Sequence, residues 1–141
     1  MIRSAQKFTI TFDALLIGHE SHITSLTWQP STAGALPNLL STSTDSSLII
    51  WSPSSSLWIN RHRFGDIGGQ RLGGFVGGLW GANGQEVLAW GWSGGWKRWR
   101  RDVSGFSDHE TWSETGAISG HNGPVKDICW SPQGEYLLSA R

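Results

Sequence analysis

Short runs of alternating apolar and polar residues recur along the chain, and each ends at turn-forming residues. Tryptophan closes three of these runs, at Trp28, Trp80 and Trp130, which lie 52 and 50 residues apart. The second run is followed by Asn83-Gly84, a dipeptide that favours tight turns with positive φ. A repeat of about fifty residues therefore organises the sequence.

The first period predicts an antiparallel sheet. Runs of four to eight residues with turns this frequent are typical of strands, and the four runs are Ile23–Trp28, Leu39–Ser43, Leu48–Trp51 and Leu57–Phe64. Ahead of them, Phe8, Ile10 and Phe12 alternate with threonines and predict one further strand. No stretch keeps a helical period for long, so the fold class is all-β.

Composition narrows the class of protein. Glycine occurs 19 times and tryptophan ten times in 141 residues, and this aromatic content argues against disorder. Eleven basic and eleven acidic residues cancel, which argues against binding of nucleic acid or membranes through bulk charge. The single cysteine, Cys129, fits a reducing compartment. Without an apolar leader or a long apolar span, we expect a cytoplasmic protein, with a nuclear location also open.

The first period carries a motif typical of WD repeats, with Gly18-His19 near its start, Asp45 in a turn and Trp51 at its end. The chain therefore resembles the WD-repeat family. This resemblance implies a partial β-propeller of about three blades of four-stranded antiparallel sheet, incomplete at both ends. Its units are a leading strand in 1–17, a first repeat in 18–67, a divergent second repeat in 68–119 and a truncated third repeat in 120–141.

The resemblance also implies a structural network. In this family a histidine, a strand serine or threonine, a turn aspartate and a tryptophan form a buried hydrogen-bond chain, which here would be His19, Ser43, Asp45 and Trp51. The second repeat has Ser93 where the aspartate would stand, so Trp99 keeps only a packing role. The third unit has His121 and Ser139. The resemblance implies no catalytic residue, no metal and no cofactor.

Longer runs resemble one branch of this family, the two-propeller Elongator subunits. They are Phe8–His19, Leu48–Trp51, Phe64–Gly69 and Gly123–Leu138. The resemblance implies a scaffold in the complex that modifies the wobble uridine of tRNA, with the large scaffold subunit and the catalytic subunit as partners. Contact with tRNA would be indirect, and neither a membrane nor a small-molecule substrate is implied. A WD-repeat adaptor of another intracellular assembly is the alternative.

Two chemical motifs compete with this interpretation. Gly91-Trp92-Ser93-Gly94-Gly95 matches the nucleophile elbow of serine hydrolases, and Asp108 and His121 follow in the order of that family. The elbow requires a helix after its serine, and the following residues carry no helical pattern, so a turn is favoured. His19 and His22 form at most half of a metal site.

A dense basic run surrounds Trp99. Its cations are Lys97, Arg98, Arg100 and Arg101. On a strand, Lys97 and Arg101 would share the face of Trp99, and Arg98 would replace the apolar Ile50 of the first repeat. The run is interpreted as an edge partly neutralised by nearby acidic residues, with contact to tRNA or to a protein partner as alternatives. Those acidic residues are Asp102, Asp108, Glu110 and Glu114.

Two expectations remain. Trp92 and Trp96 fall outside the repeat register and receive no role. Because propeller blades cover one another's faces, we expect the isolated chain to expose apolar faces at both ends and to depend on further blades.

Overall fold

A computed structural model describes residues 8–30, 34–65, 73–102 and 110–141, which contain ten strands and no helix. The first blade contains β1 (Ile23–Trp28), β2 (Leu39–Ser43), β3 (Ser47–Ser54) and β4 (Leu57–Gly65). The second contains β5 (Phe75–Trp80), β6 (Glu86–Gly91), β7 (Gly95–Asp102) and β8 (Thr111–Ser119), and the third contains β9 (Asp127–Trp130) and β10 (Leu137–Ala140). Strands pair antiparallel in chain order within each sheet. The all-β prediction is confirmed.

The first two strands end where the sequence predicts, but β3 and β4 are longer. Serines and a proline at 52–56 resemble a loop, yet Pro53 pairs with Trp58 inside the ladder. The hairpin turn needs only Ser55 and Ser56, and Ser55 adopts a positive φ of 55°. A two-residue hairpin turn with positive φ matches the twist of its strands, so the strands continue up to it.

The predicted strand ahead of the first blade is wrong. Residues 8–20 contain no strand, and Phe8, Ile10 and Phe12 are almost fully exposed. The alternation of side chains was present, but a strand also needs a neighbour for its backbone N–H and C=O groups. Among the described residues, no strand forms a β-ladder with this segment.

The core lies between the blades rather than inside one sheet. Leu40, Leu48 and Ile50 of the first blade pack against residues of the second, namely Phe75, Trp80, Val87, Ala89 and Trp99. A second cluster joins Trp90 to Val125 and Ile128 of the third blade, with Trp96 packed against it. Trp96 thus gains a core role that the repeat register did not indicate.

Indole groups also connect successive blades. The Trp80 Nε1–H donates to the Thr27 carbonyl at 3.2 Å, and the Trp130 Nε1–H donates to the Trp80 carbonyl at 3.1 Å. Trp28 holds the matching position in the first blade, where no described blade precedes it, and its side chain is 58% exposed. The regular spacing of these tryptophans therefore matches contacts between successive blades.

Candidate functional site

A hydrogen-bonded chain crosses the first blade from its core to its β2–β3 turn. The Trp51 Nε1–H donates to Ser41 Oγ at 2.8 Å, and Ser41 Oγ lies 2.8 Å from His19 Nε2. On the other side of the ring, His19 Nδ1 lies 3.0 Å from Asp45 Oδ2. Because carboxylates only accept, the proton of this contact belongs to Nδ1, and Ser41 then donates to Nε2. One imidazole thereby ties the segment before β1 to β2 and to the β2–β3 turn.

The Asp45 carboxylate accepts hydrogen bonds from other residues besides His19. Its carboxylate accepts from the Ser47 hydroxyl at 2.7 Å, from the Ser47 N–H at 2.8 Å and from the Glu20 N–H at 2.9 Å. Burial opposes ionisation, but the Ser47 hydroxyl, the Glu20 N–H and His19 outweigh it and lower the pKa of Asp45 to about 2. The side chains of His19 and Asp45 are only 3% and 6% exposed. Asp45 is therefore a buried carboxylate whose donors are supplied by the fold.

The structure brings His19, Asp45 and Trp51 together, but it places Ser41 where Ser43 was expected. Ser43 Oγ instead accepts from the Asp45 N–H at 3.1 Å. The ladder explains the difference, because Leu39 of β2 lies opposite Trp51. Ser41 is two residues beyond Leu39, about 7 Å along the strand, and Ser43 is about 13 Å away, which is beyond reach of the indole.

We expect Ser41→Ala to lower the free energy of unfolding more than Ser43→Ala. The first substitution removes the acceptor of a buried indole N–H and one partner of His19, and should cost about 2 kcal/mol. The second removes one bond to a turn amide and should cost about 1 kcal/mol. Urea unfolding of the two variants measures the difference. An equal loss in both would show that Ser41 does not relay the contact between Trp51 and His19.

The third blade repeats half of this chain. His121 Nε2 lies 2.8 Å from Ser139 Oγ, and Ser139 occupies the ladder position of Ser41, since Leu137 pairs with Trp130 as Leu39 pairs with Trp28. The triplet Leu-Leu-Ser at 39–41 and at 137–139 was the sequence signal that could have identified Ser41.

The second blade lacks the polar side chains of this network at three described positions. The ladder positions of Ser41, Asp45 and Ser47 are taken by Ala89, Ser93 and Gly95. Ser93 lies on the turn between β6 and β7, as the repeat predicts, and a strand follows it rather than a helix. The hydrolase motif therefore lacks its required geometry. His121 bonds to Ser139, and Asp108 lies outside the described residues.

Comparison with known proteins decides the family. The family described as "WD domain, G-beta repeat" matches residues 9–52 and 112–141, which contain the complete network and its partial repeat. The chain belongs to this WD-repeat family.

The relatives are consistent across eukaryotes. The chain is 38% identical to Elongator complex protein 2 of Schizosaccharomyces pombe, over 93% of this chain and 17% of that protein. It is 36% identical to Elongator complex protein 2 of Arabidopsis thaliana, over 94% of this chain and 17% of that protein. For the Homo sapiens protein of the same name, identity is 31% over 94% of this chain and 16% of that protein. The chain thus spans about one sixth of these relatives.

The basic run of the second blade lies on β7, and three of its four cations contact other side chains. Lys97 Nζ lies 3.5 Å from Glu114 Oε2, and Arg101 Nε lies 3.4 Å from Glu110 Oε1. Arg98, paired with Leu88 as Ile50 is with Leu40, donates from Nε to Thr115 Oγ1 at 3.0 Å. Arg100 is exposed. Two of the four cations are thus paired with carboxylates, so this edge is partly neutralised.

A cluster around Glu110 links β4 of the first blade to β7 and β8 of the second. Glu110 Oε2 lies 2.7 Å from Arg61 Nη2, and Glu110 Oε1 accepts from the Trp112 Nε1–H at 3.0 Å. Burial would raise the pKa of Glu110, but the Trp112 bond and the charges of Arg101 and Arg61 lower it. His62 lies 3.5 Å from the same carboxylate, too long for a strong hydrogen bond, and burial lowers its pKa.

We expect Glu110→Gln to weaken contact between the first and second blades. Arg61 and Arg101 would then face each other without a shared carboxylate. Because both arginines are partly exposed, solvent screens the loss and the cost should stay near 1 kcal/mol. Amide exchange in β4 and β8 measures it, with Glu135→Gln as an exposed control on the third blade. Unchanged exchange in both strands would contradict a linking role.

The described ranges contain no group of three His, Cys, Asp or Glu side chains placed to hold a metal ion. Both ring nitrogens of His19 already have partners, which leaves none for a metal shared with His22. Across the same residues, no helix is long and apolar enough to span a bilayer.

Proposed function

We propose that the chain is part of a non-catalytic scaffold subunit of Elongator, which holds other subunits of the complex through protein–protein contacts. The observation that carries the proposal is the 38% identity to Elongator complex protein 2 of Schizosaccharomyces pombe over 93% of the chain. In this proposal the partners are the large scaffold subunit and the catalytic subunit. The assembly acts in the cytoplasm on the wobble uridine of tRNA, and tRNA contacts other subunits.

The geometry of the network supports a structural role. A general base or nucleophile must reach a substrate with a free lone pair. His19 uses both ring nitrogens within the protein, and its side chain is 3% exposed. Ser41 is buried between Trp51 and His19. The backbone of His121 lies against Gly94, next to Ser93, but the His121 ring bonds to Ser139. The polar groups of the motif are thus used to hold strands and turn together.

Affinity purification of the full-length protein from its native organism, followed by quantitative mass spectrometry, tests the proposal. We expect the other Elongator subunits in near-equal amounts. A strain that lacks the protein should lose wobble-uridine modification, measured by mass spectrometry of digested tRNA, and the wild-type gene should restore it. Purification with a different stable assembly, together with normal tRNA modification, would instead support the WD-repeat adaptor.

A further inference from the structure

Hydroxyl groups of the first blade bond to the backbone of β5, an edge strand of the second. Among the described strands, β5 pairs only with β6, so part of its backbone N–H and C=O groups point away from its own sheet. At Gly78 both groups have partners on β1. The Gly78 N–H donates to Ser25 Oγ at 3.0 Å, and Thr27 Oγ1 donates to the Gly78 carbonyl at 3.2 Å. These two bonds fix the position of β5 along β1, which non-directional apolar contacts alone do not do.

Thr42 of β2 completes this set of hydroxyl groups. Its Oγ1 lies 2.8 Å from Ser25 Oγ and 2.9 Å from Thr24 Oγ1, and the residue is fully buried. Because Ser25 Oγ accepts from Gly78, its own proton is available to Thr42. Rotation of the Thr42 side chain would break these buried bonds, so its methyl carbon, Cγ2, is held in one place. We name Ser25, Thr27 and Thr42 the hydroxyl cluster.

The methyl group of Thr42 faces Gly78 across the contact between the two blades. A Cβ on Gly78 would lie 2.5 Å from Thr42 Cγ2, which is closer than side chains pack against one another. The next obstacle, the Leu88 carbonyl oxygen at 3.1 Å, belongs to the second blade itself and is milder. Glycine inside a strand is typical of such a close approach by another segment. The hydroxyl cluster therefore accepts a glycine at this position and excludes a side chain.

Of the three blades, the second is the one with glycine at this place. The residue two positions before the tryptophan that ends the first strand of each blade is Leu26, Gly78 or Ile128. Ile128 is buried in one apolar cluster with Trp90, which holds the ladder position of Thr42 in the second blade. An indole ring there packs against an isoleucine, whereas the hydroxyl cluster has no room for one. The docking surfaces of the first and second blades thus require different neighbours.

We propose that the hydroxyl cluster and Gly78 form a matched pair that determines which blade docks on the first. Repeated blades have similar strands and apolar cores, so a chain that contains several of them needs a means to exclude the wrong neighbour. The third blade, with Ile128, or the first blade of a second copy, with Leu26, would place a side chain against Thr42. The second blade brings a glycine and also gains both hydroxyl bonds. This pairing concerns assembly of the chain itself and holds for whichever partners the protein binds.

Amide exchange in the full-length protein, with substitutions on both sides of the contact, tests the matched pair. We expect Gly78→Ala to accelerate exchange in β1 and β5 by at least about tenfold, because the new Cβ meets Thr42. A Thr42→Ser background keeps the hydroxyl and removes Cγ2. There the same substitution should accelerate exchange by no more than about threefold, the remainder being due to the Leu88 carbonyl. A Thr42→Val background keeps the methyl carbon and removes the hydroxyl, so it should give no such relief.

Two further variants complete the test. Gly116→Ala is the control, because a Cβ there meets nothing within 4 Å, and it should change exchange by no more than about twofold. Gly78→Ile gives the second blade the residue of the third and should accelerate exchange in β1 and β5 by at least about a hundredfold. If Gly78→Ala is insoluble, Thr42→Ser should restore soluble protein and Thr42→Val should not; restoration by neither would contradict the matched pair. The same acceleration by Gly78→Ala in the Thr42→Ser and Thr42→Val backgrounds, or unchanged exchange in Gly78→Ile, would overturn the proposal.

Discussion

Asp45→Ala should lower the free energy of unfolding by about 3 kcal/mol, because it breaks a buried polar network at its centre. The substitution removes the acceptor for the Glu20 N–H, for the Ser47 hydroxyl and N–H, and for His19 Nδ1. It also removes the carboxylate that lies 3.6 Å from Arg63 Nη2. Urea unfolding measures the loss.

Ser93→Ala is the matched control for Asp45→Ala, since Ser93 occupies the same turn position in a blade without the network. It should change stability by no more than about 0.5 kcal/mol. A loss of similar size in both variants would mean that the turn itself, rather than the contacts of the carboxylate, sets the cost. An unchanged midpoint for Asp45→Ala would refute the stabilising role of the network.

Gly94→Ala should destabilise the contact between the second and third blades by about 2–4 kcal/mol, from positive φ and steric overlap together. Gly94 adopts a φ of 82°, and a Cβ there would lie 2.1 Å from the His121 carbonyl oxygen and 2.6 Å from that of Gly123. Both oxygens belong to the backbone, so the steric overlap can be removed only if the segment before β9 moves. Faster amide exchange in β9 and β10, together with a lower unfolding midpoint, measures the effect.

Two comparisons identify the cause of that loss. Ser46 holds the equivalent position in the first blade at a φ of 64°, so a side chain is tolerated in this conformation. Gly116→Ala, on β8, is the control, because a Cβ there meets nothing within 4 Å, and it should cost no more than about 0.5 kcal/mol. A small loss for Gly94→Ala would indicate that the third blade moves away freely and is only weakly attached.

The sequence predicted the repeat and the strand class, because both depend on local order along the chain. The resemblance to WD repeats implied most of the network. Its failure at Ser43 has a physical origin. The motif places the serine by its distance along the chain from the turn. The acceptor of the Trp51 indole is instead fixed by pairing across the β2–β3 ladder, where Ser41 is nearer than Ser43. The separation of Lys97 and Arg98 onto different faces of β7 did follow from simple alternation.

Contacts between blades could not be predicted in this way. Arg61 and Glu110 are 49 residues apart and meet only because two blades stack. The core role of Trp96 has the same basis, since its partners lie on β5, β6 and the third blade. The absence of a strand at 8–20 also reflects pairing, because alternation describes side chains and carries no information about a neighbour.

The indole hydrogen bonds between blades follow the order in which the chain is synthesised. In each of them the donor belongs to a later part of the chain than the acceptor, Trp80 bonding to Thr27 and Trp130 to Trp80. A ribosome releases the chain from its N-terminus, and domains tend to fold in that order. When each new tryptophan leaves the ribosome, the residue whose carbonyl it needs has already been synthesised. Synthesis can therefore add blades one at a time, each one docking on a surface completed before it.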